Sequence, residues 1–394
     1  MAGDVNHATD LRDEVLDANP DLIALATISM RGEALHILGE DWPYWIRDEH
    51  GNIFREHNPD GTVAKHGLMN FTHPAVQDMI VQQAVAVSKC GLYDGIVFDY
   101  WSEHWQVLSV WDGTHQRSFY SLEEELQARL NIVRRIRAET RPNFLIMGNT
   151  NYFIIPKTGM YLNGGFMETG IPEHRTGADL ERVISAAENA LLWLEHNLRE
   201  PRINALEGFS IPGEPLDSPN NRRWMRALTT LSLTHSDGYV VYSESGVFTH
   251  YWYDFWDADL GRPVGAKAQL YDEEIFGLYI REFTNGWAVY NHSGETQVIT
   301  LPEEVQGVAS GRVGAEHTLP NLDGEMYLRG KPKNPADVNG DRMVNILDLV
   351  AVAQAFGEDG LQGDVNGDGV VNVLTLFSLP RQLALAEPRR RHYP

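Results

Sequence analysis

Asp94-Gly-Ile-Val-Phe-Asp99, then the amphipathic stretch Leu122–Thr140, then Phe144-Leu-Ile-Met-Gly-Asn149 decide how this chain folds. A short apolar run, a helix-length stretch rich in Glu, Leu and Arg, and a second apolar run make the pattern of a parallel βαβ unit. Working outward, Leu22–Ser29, Gly67–Phe71, Gly165–Glu168, Ile203–Ile211 and Gly238–Ser243 read as further strands. Gln77–Lys89, Gly177–Leu198 and Arg222–Thr234 carry helical spacing between them. Thr72-His73-Pro74 opens the first of these helices, with proline at a position where its missing N–H costs nothing.

Seven strands alternate with helices, and a closed barrel of this kind needs eight. The helix-like Asp10–Asn19 already precedes the first strand. The expectation is an α/β fold: a TIM (β/α)8-type barrel lacking its first strand over residues 1–268, with a seven-stranded or open sheet as the competing arrangement. A late start or a truncated fragment accounts for the missing strand. It also accounts for the N-terminus, Met-Ala-Gly-Asp-Val-Asn-His-Ala, which has no basic start and no apolar core and so does not read as a secretory signal. Beyond residue 268 the period shortens. Ile275–Phe283, Trp287–His292 and Glu295–Leu301 alternate, with Asn285-Gly286 and Ser293-Gly294 between them, which predicts a small antiparallel β domain over 269–330. Residues 331–336, which include Pro332 and Pro335, form a linker, and 337–394 a further module.

The chain has 394 residues and a net charge of -23, which excludes phosphate-rich nucleic acid as a partner, since that recognition relies on Lys and Arg. No stretch approaches a membrane span. The one cysteine, Cys90, forms no internal disulfide and is expected as a buried, inert thiol in the apolar run Ala84–Leu92.

Residues 337–348 place oxygen-bearing side chains at loop positions 1, 3, 5, 9 and 12: Asp337, Asn339, Asp341, Asn345 and Asp348. Met343 at position 7 offers its backbone carbonyl. Calcium takes six to eight oxygens, and alternate loop positions can point them at one ion. The pattern returns 27 residues later with Asp364, Asn366, Asp368 and Asn372, but Thr375 stands where the closing carboxylate is due and Pro380 interrupts the helix that should follow. The first site is therefore expected to bind Ca2+ well and the second weakly. The tandem resembles dockerin type I modules, in which Asp occupies position 12. The resemblance implies a cohesin-type protein partner and an extracellular or cell-surface location.

In a barrel the residues at the C-terminal ends of strands line one mouth, where chemistry sits. The polar residues there are Arg31, Asn70, Asp99 with Glu103, Asn149 and Asn151, Glu168, Glu207, and Ser243 with Glu244. Glycosidic cleavage needs two carboxyl groups, one to protonate the leaving oxygen and one to attack or to activate water. Asp99 is the best single candidate, because an apolar strand aims its last side chain into the mouth. Tyr100, Trp101 and Trp105 stand beside it as sugar-stacking candidates, Glu103 as a carboxylate that raises its neighbour's pKa, and Trp252 in a cluster with Asp254, Trp256 and Asp257 as a groove wall. Glu168 can serve as the second carboxylate or as a partner of Arg31. Arg31, Trp101, Glu103, Asn149, Asn151, Glu207 and Trp252 are thus candidate substrate-binding residues.

Residues 42–52, 70–74 and 91–99 resemble the hypothetical glycoside-hydrolase-like barrels, which share features with α-galactosidase-type enzymes. The resemblance spans roughly residues 20–300, including Arg281–Asn291. In those enzymes strand four carries an Asp nucleophile and strand six the acid/base. With one strand absent upstream, the resemblance implies Asp99 and Glu168 in those roles, acting on a carbohydrate without a catalytic cofactor. A carbohydrate-binding barrel without catalysis, or an assembly protein working through its tail, are the other readings.

Overall fold

The computed structural model describes residues 5–57, 63–111, 116–169, 177–244, 250–330 and 346–355. Six strands make one parallel sheet: β1 (Leu25–Ser29), β2 (Gly95–Asp99), β3 (Leu145–Asn149), β4 (Gly164–Thr169), β5 (Ala205–Phe209) and β6 (Tyr239–Ser243). They neighbour one another in chain order, without the reversal of a doubly wound sheet. The sheet is barrel-like rather than flat. Six strands laid flat at ~4.8 Å spacing would separate β1 from β6 by more than 20 Å. Yet the charge of Asp21, just ahead of β1, reaches the hydroxyl of Tyr239 at the start of β6.

Helices α1 (Pro74–Cys90), α2 (Leu122–Glu139), α3 (Gly177–Asn197) and α4 (Pro219–His235) follow strands as expected. α1 starts at Pro74, with His73 Nδ1 accepting the Ala75 N–H, and ends at Gly91 in the left-handed region, φ 74°. α2 starts with a reciprocal cap in which Ser121 Oγ accepts the Glu124 N–H and Glu124 accepts the Ser121 N–H. One turn on, Glu125 is fully buried and accepts the N–H groups of Val107 and Leu108 at 2.8 and 2.9 Å and Arg129 Nη2 at 3.1 Å. The loop after β2 is thereby tied to the helix. The close approach of β2 to β3 requires Gly95, where a Cβ would lie 2.0 Å from the Leu145 carbonyl oxygen.

Three expectations need correction. Gly67–Phe71 is not a strand of the parallel sheet. Val63–Leu68 pairs antiparallel with Gly32–Ala34 and Arg55–His57 in a separate three-stranded sheet, and β1 pairs directly with β2. Asn70 ends that excursion by accepting the Thr72 N–H and hydroxyl at 3.1 and 2.6 Å. The parallel strands thus number six among the described residues. Cys90 is exposed, because it is the last residue of α1, beyond the buried face formed by Val76, Ile80, Val81, Ala84 and Val85. The hairpin at Asn285-Gly286 exists, but its two-residue turn is Thr284-Asn285, since Gly286 already pairs with Phe283.

That hairpin joins β7 (Leu278–Phe283) to β8 (Gly286–Asn291). With β9 (Gln297–Gly307), β10 (Val313–Leu319) and β11 (Asp323–Arg329) it belongs to an antiparallel sheet ordered β7-β8-β11-β9-β10. The chain divides into two compact units, residues 1–299 with 318–326, and residues 300–317 with 327–394. The first holds the parallel sheet. In the second, Val305 pairs with Arg329 and Gly307 with Tyr327, and α5 (Ile346–Gln354) stands in the C-terminal module. Among the described residues no helix is long and apolar enough to cross a membrane.

A buried polar knot joins α3 and α4 to the hairpin. Glu188 accepts from Tyr290 Oη at 3.2 Å and pairs with His292 Nδ1 at 3.1 Å. His235, fully buried on α4, packs edge-on against Tyr279 with ring centroids 4.3 Å apart. Its Nδ1 lies 2.9 Å from Thr234 Oγ1, and Nε2 has no partner among the described residues. Burial holds the His235 pKa down to about 4, against the opposing pull of Glu188 and Glu195. The unfolded chain takes up this proton near its ordinary pKa of ~6.5, and the folded one only near 4. Stability should therefore be intact above pH ~6.5 and decline toward pH 4, by about 3 kcal/mol from this residue. Urea unfolding across that range should show the loss. His235→Gln should flatten it, and an equally steep profile in the variant would refute the assignment.

Candidate active site

Alternate residues of a strand share a face. On the inner face of the curled sheet, β1 to β5 first present Leu25, Val97, Leu145 with Met147, Phe166 and Ala205. Leu145, Met147 and Ile203 form an apolar cluster, and the others pack against it. At the strands' C-terminal ends the same face turns polar. Asp99 ends β2, Asn149 ends β3, Glu168 lies on β4, Glu207 on β5 and Ser243 ends β6. Register fixes the layer: Ser29 pairs with Asp99, Glu168 with Glu207, and Phe209 with Ser243.

Asn149 joins the first two carboxylates. Its buried Nδ2 donates to Asp99 Oδ1 at 3.0 Å and to Glu168 Oε1 at 3.1 Å. Its Oδ1 accepts the Asn151 N–H at 3.3 Å, which sets the amide with nitrogen toward the acids. The facing oxygens of Asp99 and Glu168 lie no farther apart than those two bonds laid end to end. Asp99 Oδ1 also accepts the Tyr100 N–H at 2.9 Å, so the side chain caps its own turn as well.

Burial, above all, pushes the Glu168 carboxyl up from its ordinary value. The charges of Asp99 and Glu207 push the same way, and the Asn149 hydrogen bond opposes them. Glu207 faces inward and is buried. Its Oε1 accepts Ser243 Oγ at 2.6 Å and lies 3.8 Å from His250 Nε2.

The turns beyond two of these strands are strained. Tyr100 at φ 58° and Asn151 at φ 51° occupy the left-handed region without being glycine, a conformation that costs about 1–3 kcal/mol where the surroundings impose it. Arg31 covers the Tyr100 ring, with Cζ 5.1 Å from its centroid and Nη2 on the Ser109 carbonyl at 3.0 Å. Asn151, Tyr152, Phe153, Glu168 and Phe209 line a cavity of about 260 Å³. Tyr152 stacks on Phe153 at 5.0 Å, and Trp105 meets Phe153 edge-on at 5.1 Å. Sequence reading missed Tyr152, Phe153 and Phe209. The available signal was the Tyr152-Phe153 pair directly after a strand exit.

Other candidates stand elsewhere. Trp101 is fully buried on the outer side of the sheet, stacked on Phe98 at 4.9 Å, with its indole N–H on Thr158 Oγ1 at 3.0 Å. It offers no ring face to a sugar. Glu103 is hydrogen-bonded into the loop beyond β3. It accepts the N–H groups of Lys157 and Thr158 at 3.0 and 2.7 Å and the Thr158 hydroxyl at 2.6 Å, holding a loop. Trp252 is 68% exposed and belongs to a different depression, on the outer side of β6. Glu168, considered also as a partner of Arg31, has the amide of Asn149 instead.

Among the described residues, no cluster of three or more His, Cys, Asp or Glu side chains could hold a metal ion. Asp337, Asn339, Asp341, Met343, Asn345, Asp364, Asn366, Asp368 and Asn372 lie outside the described residues. Asp348, the twelfth position of the first loop, is buried in the first turn of α5.

Among curated proteins none matches this chain. Among solved structures it is similar to a maltogenic alpha-amylase from Thermotoga neapolitana, at 12% identity and a TM-score of 0.41, over 82% of this chain and 81% of that one. It is also similar to an alpha-amylase from Malbranchea cinnamomea, at 12% identity and 0.41, over 83% and 78%. A third is Ega3 from Aspergillus fumigatus, in complex with galactosamine, at 8% identity and 0.40, over 61% and 83%. Similarity at this level says nothing about chemistry, which has to come from the residues. Residues 335–384 match the Dockerin type I domain family, as the two oxygen-rich loops there led us to expect.

Proposed function

We propose that this chain hydrolyses glycosidic bonds in a poly- or oligosaccharide with retention of configuration, with Asp99 as nucleophile and Glu168 as acid/base. The observation that carries this is the single amide nitrogen of Asn149 shared between the two acids. Two bonds of 3.0 and 3.1 Å from one atom bring the facing oxygens closer than the ~6.5 Å at which inverting separations begin.

The electrostatics divide the roles. Glu168, pushed up by burial and by its acidic neighbours, keeps its proton longer and gives it to the leaving oxygen. Asp99, held by the Asn149 amide and the Tyr100 N–H, attacks the anomeric carbon and forms a glycosyl ester. Glu168, now a carboxylate, takes a proton from water. The resulting hydroxide equivalent cleaves the ester, and both carboxyl groups return to their starting states. Tyr152, Phe153 and Phe209 supply an apolar wall for the sugar ring, Asn151 in the same lining meets hydroxyls, and Arg31, beside Tyr100, is the further substrate-binding candidate.

The C-terminal module serves attachment. Dockerin type I domains in general bind calcium and interact with cohesins, and proteins that carry them are typically extracellular. Calcium in the first loop would be held by Asp337, Asn339, Asp341, the Met343 carbonyl, Asn345 and Asp348, and in the second by Asp364, Asn366, Asp368 and Asn372. A purely oxygen donor set suits this hard ion.

Release of reducing ends should be tested on a panel of α- and β-glucans, galactans and xylans. Glu168→Gln should lower kcat about 10²–10⁴-fold and Asp99→Asn should abolish turnover, both with an unchanged circular dichroism spectrum. Cleavage by Asp99→Asn at the wild-type rate would remove Asp99 from the mechanism. The raised Glu168 pKa predicts that activity falls on the alkaline side as this acid loses its proton. Glu207→Gln removes one of the charges that raise it, so the alkaline limb should move to lower pH; a shift to higher pH, or none, contradicts the coupling. Calorimetric titration of the full chain with calcium should show one tight and one weaker site, and Asp348→Ala should weaken the tight one. Two equal sites would contradict the reading of Thr375.

A further inference from the structure

A second feature built to meet a ligand lies away from the carboxylate layer. On the outer side of β6, a groove of about 520 Å³ is lined by Val240, the α4 residues Thr229 and Leu233, Trp252, Trp256 and Phe283, among others. No residue of the carboxylate layer lines it.

One exposed wall is Trp252, 68% accessible. An indole so exposed is usually mobile, but this one is held. Its N–H donates to Asp257 Oδ1 at 2.9 Å, and Trp256 meets it edge-on at 5.5 Å and 81°. Trp256 is fixed in turn through its own N–H on Thr229 Oγ1 at 2.9 Å. Its other neighbour, Tyr253, is buried and anchored to the Leu216 carbonyl at 2.7 Å. Both indole N–H groups are therefore spent inside the protein, and what Trp252 offers outward is a flat π-face. Exposed Asp259 lines the groove with it, as does Asp237, which is paired with Lys267 at 3.0 Å, and Asp257, exposed as well, adjoins the ring through the indole N–H that it accepts. Asp259 also caps the local turn by accepting the Gly261 N–H at 2.9 Å.

We infer that this groove is a saccharide-binding site separate from the proposed active site, in which a neutral sugar ring lays its C–H face on Trp252 and gives hydroxyl hydrogens to Asp257 and Asp259. The chemistry selects among ligand classes. The exposed carboxylates Asp257 and Asp259, on a chain of net charge -23, disfavour phosphate, sulfate and anionic lipid headgroups, and Arg281, which also lines the groove, is taken up by the carbonyls of Leu233, Gly265 and Ser236. A wholly apolar ligand would desolvate the carboxylates without compensation. A pyranose has one apolar face and a rim of donors, which matches a rigid aromatic plate rimmed with acceptors. Such a site holds a polymer beside the enzyme while its chain ends or branches reach Asp99 and Glu168. It requires no turnover, so it stands or falls apart from the cleavage proposed above.

The test is native affinity electrophoresis of the full chain carrying Asp99→Asn and Glu168→Gln, so that no polymer is digested. The gels contain soluble starch, xylan, galactan or mixed-linkage β-glucan. At least one polymer should retard the protein. Adding Trp252→Ala should weaken that retardation about tenfold, while Trp252→Phe keeps most of it. Trp252 is exposed, so the variants fold. Retardation by none of the four polymers, or equal retardation with and without the Trp252 ring, overturns the inference. Trp252-dependent retardation in a protein whose wild type cleaves nothing would leave this site intact and remove the proposed hydrolysis instead.

Discussion

The register of the parallel sheet is the constraint on which the rest depends. Parallel strands in chain order place equivalent positions side by side, and the period of two sends alternate residues to the same face. Slipping one strand by one residue would turn Glu168 outward and bring Met167 in. The outer face is what prevents this. Ile96, Phe98, Ile146, Met167 and Leu206 are all buried there, so any slip would expose them. The apolar outer face thereby positions a polar inner layer that it never touches.

Given that layer, the balance of forces at the site follows. The charges of Asp99 and Glu207 act on Glu168 within one layer of the sheet, and burial penalises its charge further. Asn149 offsets part of this with two hydrogen bonds from one nitrogen, and Ser243 and the loop N–H of Tyr100 contribute one each. For Glu168 burial and the neighbouring charges outweigh the hydrogen bond, and its pKa stays raised. An acid poised in this way beside a solvated partner is what two-carboxylate chemistry requires. The left-handed turns at Tyr100 and Asn151 fit the same picture. Strain there is tolerated because the buried Glu125 and the loop-holding Glu103 fasten the segments that follow β2 and β3.

Buried charge in this molecule serves attachment more than chemistry. Glu125 with Arg129 ties a loop to α2, Glu188 ties α3 to the β7–β8 hairpin, and Arg226 grips Asp323 through two bonds of 3.0 and 2.8 Å. Each carboxylate has several donors, as a buried charge must if it is not to destabilise the fold. The site carboxylates differ in having fewer internal donors and an open side, and that separates the two classes physically.

The sequence by itself determined everything that local periodicity and spacing encode. β2, β3 and β5 stand where apolar runs put them, the four helices lie within a few residues of their predicted spans, and Pro74 and Ser121 begin two of them. The strand-end logic brought Asp99, Asn149, Glu168 and Glu207 forward only as candidates, and it took the strand register to place them on one face of the sheet. The match to the Dockerin type I domain family was legible too, since the oxygen-bearing residues of its loops recur at fixed spacing within twelve residues. Only the tertiary structure decided what depends on distant partners. Val63–Leu68 pairs with Gly32–Ala34 rather than with β1. Trp101 turns from the mouth to pack on Phe98, Glu103 is claimed by Lys157 and Thr158, and Trp252 faces a groove of its own. Loop side chains have no period to constrain them. Where they point is set by hydrogen bonds and contacts made by residues some 50 positions away, and those exist only once the chain has closed on itself.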